Sequence, residues 1–96
     1  PLAANTAYNL EFAIRHSPDC LSSSIEIVAN GLNDKGARTH VKYANIRKNK
    51  GFRNDNKWHI VKSAFMTNKA VITPRMKIFN RSGGAVWVDK IVIKEQ

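Results

Sequence analysis

The chain has 96 residues, 43% of them hydrophobic and 24% charged, and its 16 Lys and Arg against 7 Asp and Glu leave a formal net charge of +9. That length allows one small domain with a modest core, and no apolar run approaches the roughly 20 residues of a membrane helix. A single cysteine, Cys20, rules out an intrachain disulfide and a Cys-rich zinc site, while His16, His40 and His59 share no ligand spacing. The opening Pro-Leu-Ala-Ala-Asn lacks a charged region leading into an apolar one, so it does not read as a signal peptide. The positive balance favours polyanionic partners: nucleic acid, an acidic polysaccharide, an anionic surface or an acidic neighbouring domain. It carries no information about fold.

Residues 7–15, AYNLEFAIR, alternate cleanly, with Tyr8, Leu10, Phe12 and Ile14 on one face and Asn9, Glu11, Ala13 and Arg15 on the other. This is the period of a half-buried strand. Pro18 and Asp19 mark the following turn. Residues 24–30 form a second strand with Ile25, Ile27 and Ala29 inward and Val28 opposite, ending at Asn30-Gly31. A third, residues 37–46, carries Val41 and Tyr43 on a weak alternation. Residues 47–57, RKNKGFRNDNK, read as a polar, basic loop with Phe52 at its centre. A lone aromatic among cations also suits stacking on a sugar ring or a base.

Residues 58–67, WHIVKSAFMT, are the fourth strand, and residues 70–80, AVITPRMKIFN, the fifth, with Ile72, Met76 and Ile78 on one face. Pro74 cannot donate to a ladder, so this strand belongs at a sheet edge or holds a bulge. Gly83-Gly84 turns the chain into the last strand, where Val86, Val88, Ile91 and Ile93 are the core candidates. The step from Val88 to Ile91 is three residues, so one extra residue at Asp89-Lys90, a β-bulge, is needed to keep all four on one face. Asp89 at such a point meets backbone N–H groups or a cation, or simply faces water beside Lys90. Six strands with turn signals every 8 to 15 residues and no helix pattern argue for an all-β antiparallel β-sandwich or barrel in a single domain over residues 1–96.

The order of a Tyr-led strand (AYNLEFAIR), an Ile-rich strand (SSIEIVANG), a Trp-led strand with Phe seven residues on (WHIVKSAF) and a final Gly-Gly-x-Val-Trp-Val-Asp-x-Ile resembles the jelly-roll carbohydrate-binding modules attached to xylanases and cellulases, and their galactose-binding-like relatives. Tyr8, Phe12, Trp58, Phe65, Trp87 and Asp89 occupy matching positions. The resemblance implies a jelly-roll sandwich that lacks the family's opening strands, with Trp58 as the family's core tryptophan. It also implies a module or fragment of a larger protein, at an extracellular or particle-surface location. In that family the last-strand aspartate helps hold a structural calcium together with ligands from the opening segment. Here the matching residue is Asp89, and its partners are not in this sequence. A hard cation wants six to eight oxygens. No cofactor is otherwise expected.

No catalytic constellation is visible. Glu11 and Glu26, on strands expected to be adjacent, are the one carboxylate pair worth checking for glycoside hydrolysis, with surface ion pairing the simpler reading. The sequence favours a non-catalytic polysaccharide-binding module, with the charge pointing to an acidic glycan. Tyr43, Phe52 and Trp87 are its stacking candidates, and Arg38, Arg47, Lys50 and Arg53 its anion-pairing candidates. A second reading is a structural assembly or decoration domain of a multi-subunit particle, completed by a partner chain. A third, less favoured, is nucleic-acid binding through the basic residues 38–57. No membrane partner is expected.

Overall fold

The alternation of the first strand is realised directly. In the computed structural model, which describes residues 1–47 and 52–96, β1 spans Ala7–His16 and buries Tyr8, Leu10, Phe12 and Ile14 while Asn9 and Glu11 stay exposed. β-Branched and aromatic side chains at every second position give one continuous apolar face, which has to be covered. The cover comes from β2 (Ser23–Leu32), whose Ile25 and Ile27 are fully buried in the same cluster. Four further strands complete the described residues: β3 (Arg38–Ile46), β4 (His59–Met66), β5 (Arg75–Asn80) and β6 (Val86–Glu95). They form two antiparallel three-stranded sheets, ordered β4-β1-β6 and β3-β2-β5. The protein is all-β, and its sheets enclose one main core of β1 and β2 residues with Ile46, Val61 and Phe65.

Each sheet carries one irregularity. On β6, Glu11 pairs with Val92 and Ala13 with Asp89, so the single residue Phe12 faces both Lys90 and Ile91. This is the bulge expected from the Val88–Ile91 step. Lys90 adopts φ 54°, the left-handed conformation that glycine usually supplies at the first position of such a bulge. Val86, Val88 and Ile93 pack against the core as expected, but Ile91 does not: it is 50% exposed. The reason is position. β6 is an edge strand, and among the described residues no further strand lies beyond it to cover the bulged residue. On β3, Ile27 pairs with Ala44 and Val28 with Lys42, leaving Tyr43 as the extra residue. That bulge is the physical source of the weak alternation in this strand.

Three further expectations change. The fifth strand divides at Pro74: Ile72 forms an isolated bridge with Leu2, and β5 begins only at Arg75, on an edge. The missing N–H of proline ends one pairing and allows the next to start. Trp58, matched above to a core tryptophan, precedes β4 and is 49% exposed. Glu11 and Glu26 lie in different sheets because β1 and β2 stack rather than pair; Glu11 is exposed, and Glu26 is bound to Lys42 Nζ at 2.7 Å.

The Gly83-Gly84 turn positions β6. Gly84 has φ 71°, and a Cβ there would fall 2.6 Å from Ser17 Oγ, 2.7 Å from Asp19 Oδ1 and 2.9 Å from the Cys20 backbone nitrogen. Both the left-handed backbone and the crowding require glycine. Gly84→Ala is expected to lower the unfolding free energy by about 1–3 kcal/mol, the cost of a strained non-glycine position, measured by denaturant titration. An unchanged midpoint would mean that the turn does not hold this conformation in solution.

Candidate ligand-binding site

The outward residues of β1 set out the candidate surface. Arg15, near the strand's end, pairs with Trp87 on β6. On the other side the last β1–β4 pair is Ile14 with His59, so the next position along that register is Trp58 beside Arg15. Strands in a sheet lie about 4.8 Å apart, which spaces the two tryptophan backbones by about 10 Å with the arginine between them. Trp58 and Trp87 are 49% and 41% exposed. The Arg15 guanidinium carbon lies 4.7 Å from the centroid of the Trp87 ring, a cation–π contact that restrains both side chains. Arg15 Nε also donates to Asn56 Oδ1 at 3.0 Å.

Asn56 reaches this place because its backbone is left-handed, φ 61°, a conformation asparagine tolerates, and its N–H donates to the His16 carbonyl at 2.9 Å. Asn54 Nδ2 donates to the Pro18 carbonyl at 3.0 Å. The loop before β4 is thereby folded back over the end of β1. Further along the same face, small Ala13 lies between Ile60 and Asp89 in the register. A hollow of about 260 Å³ opens there, bounded by Ile60, Lys90, Val92 and Lys94 and reaching Glu11 and Asn9. Two exposed indoles, a guanidinium and a planar amide above a trough can stack on the apolar faces of a ring while hydrogen-bonding its rim.

Beneath this surface the end of the core is polar. His16 is 3% exposed; its Nε2 lies 2.6 Å from Ser23 Oγ and its ring packs 5.2 Å from that of Phe52. Burial holds its pKa below the ordinary 6.5, helped by the nearby His59 and opposed by Asp55. At the surface Asp55 accepts from His59 Nε2 at 2.8 Å, and this hydrogen bond holds the Asp55 carboxyl below its ordinary range.

The residues singled out from sequence are scattered. Trp87 is exposed in the row just described. Tyr43 and Phe52 are half-buried and pack against the core, and the Tyr43 hydroxyl donates to Asn68 Oδ1 at 3.3 Å. Arg38 and Arg47 are exposed at opposite ends of β3, roughly 30 Å apart at about 3.4 Å per residue. Arg53 is exposed in the loop before β4. Lys50 lies outside the described residues. Asp89 is exposed, and its Oδ1 accepts the Lys90 N–H at 2.8 Å, so the carboxylate serves the bulge. Among the described residues no three His, Cys, Asp or Glu side chains come together as metal ligands.

Arg15 and the exposed role of Trp58 were not identified from sequence; Asn56 stood out only as one of several planar amides near Phe52. Their grouping depends on which strands flank β1 and in what register, and the one available signal was the outward parity of Arg15. No protein-family model and no curated protein matches this chain.

The His16 environment sets a pH dependence. Its folded pKa is depressed, so the folded state favours the neutral ring; stability is complete above the ordinary value of 6.5 and falls as pH drops through 6.5 toward the folded value. The denaturation midpoint is expected to decrease between pH 7 and pH 5, and His16→Gln is expected to flatten that slope. Equal slopes in the two proteins would remove His16 as its source.

Proposed function

We propose that this domain is a non-catalytic carbohydrate-binding module that lays a polysaccharide across the outer face of the β4-β1-β6 sheet. The observation that carries the reading is the Trp58–Arg15–Trp87 row, with Trp87 exposed and its ring restrained by Arg15. Sugar rings present apolar C–H faces to aromatics and hydroxyls to planar donors and acceptors, and Asn56 supplies such a group beside the row. The Ala13 trough continues the surface along β1, which suits an extended chain. The +9 charge favours a polymer that carries carboxylate or sulfate groups.

Trp87→Ala is expected to weaken binding by about tenfold or more, the usual cost of truncating a central tryptophan, with Trp58→Ala acting in the same direction. The check is affinity electrophoresis against neutral and acidic plant and bacterial polysaccharides. Retention of the double variant equal to that of the parent protein would overturn the reading.

A second reading has its own observation. Ile78 on β5 pairs opposite buried Ile25, and Ile91 lies at the bulge opposite buried Phe12, yet they are 48% and 50% exposed. Both sit on edge strands, where an added strand would cover them. On this reading the domain is an assembly module completed by a partner chain. Light scattering over a hundredfold concentration range separates the two: concentration-dependent association abolished by Ile78→Lys supports assembly, and a constant monomer mass opposes self-assembly.

A further inference from the structure

A second polar site lies where the last residue of β1 meets the first residues of β2. A cleft of about 430 Å³ opens at the end of β2, lined by His16, Ser22, Ser23, Ser24, Arg47 and Arg81 among others. Arg47 follows Ile46, the partner of Ile25, so the next position along that register sets it beside Ser24. Arg81 follows β5, and its N–H donates to the Ser22 carbonyl at 2.9 Å. The two arginines therefore approach the first residues of β2 from both flanking strands. The Arg81 guanidinium carbon lies 5.1 Å from the centroid of the Phe79 ring, which restrains it. Among the described residues no carboxylate lines the cleft.

Two polar atoms here lack partners among the described residues. Ser24, 2% exposed, has a buried Oγ with no hydrogen bond among the described residues, and so does His16 Nδ1, on a side chain 3% exposed. Buried polar groups are almost always satisfied, and one left unmade costs about 1–3 kcal/mol. The Ser24 hydroxyl, a donor without a partner beneath two arginines, suits a ligand that accepts hydrogen bonds and carries negative charge. We propose that this cleft is an oxyanion site: Arg47 and Arg81 pair with a carboxylate, sulfate or phosphate group, and the Ser24 hydroxyl donates to one of its oxygens. Arginine forks match the paired oxygens of all three groups. The site does not depend on the tryptophan row. Its two arginines come from the β3-β2-β5 sheet and belong to no part of the row, so if the row binds a polysaccharide each site can still fail without the other.

The test is a two-dimensional amide NMR titration of the whole chain with sodium sulfate, sodium phosphate and sodium glucuronate in turn, each at constant ionic strength against sodium chloride. The proposal expects saturable shifts at Ser22, Ser23 and Ser24 with at least one oxyanion and none with chloride. The three arms rank the group that fits. Arg47→Ala and Arg81→Ala are each expected to weaken binding by about tenfold, as for loss of a charged hydrogen bond, with Ser24→Ala smaller in the same direction. Lys62→Ala, on the far sheet, leaves it unchanged. The variants' own spectra report whether they fold. Absence of saturation with all three anions, or saturation unaltered by the Arg47→Ala/Arg81→Ala double substitution, overturns the site.

Discussion

The structure depends on one contact: the inward row of β1 pressed against the inward row of β2. Phe12, Leu10 and Ile14 on one side and Ile25 and Ile27 on the other are fully buried, and each such side chain contributes about 1.5–3 kcal/mol. Both strands are central in their sheets, so each also fixes two neighbours by hydrogen bonding. The flanking strands contribute less to the core, through Val61 and Phe65 from β4 and Ile46 from β3. A small domain with so short a list of buried residues leaves its margins partly uncovered. Ile78 and Ile91 are that margin.

The same arrangement explains where function can reside. A strand buried on one face presents every second residue outward in a fixed row, so the stiffness of β1 is passed to Arg15, and through it to Trp87. The loop before β4 adds Asn56 only because the His16 carbonyl and Arg15 both hold it. At the opposite sheet β2 plays the equivalent part, carrying Ser24 between Arg47 and Arg81. Both candidate surfaces lie where a rigid central strand emerges from the core, and the surrounding loops are fastened to it.

Much of the fold was legible because alternation is a local signal. β1 and β2 read almost to their ends, and the bulge near Asp89 followed from counting residues between valines and isoleucines. What failed was everything decided by which strand lies beside which. Glu11 and Glu26 were expected to be adjacent because their strands follow each other in sequence; stacking placed them in separate sheets. Trp58 was expected inside because of a positional resemblance; its place before β4 leaves it at the surface. Tyr43 and Phe52 looked like exposed aromatics because their neighbours are cations, yet an aromatic at a bulge or a loop end folds inward to fill the core's edge. The tryptophan row is a product of register, and no single segment contains it.

The bulge at Lys90 also limits what can pair along the outer edge of β6. β6 is a ten-residue edge strand with many β-branched residues, the kind of ladder that recruits further strands. The left-handed residue in its middle turns the backbone and breaks the row of free N–H and C=O groups into two short stubs. A foreign strand could match one stub and would lose register at the other. Lysine at the break adds a charge where an incoming backbone would have to approach. The irregularity that settles the inward face of β6 thus also acts as a guard against open-ended sheet growth.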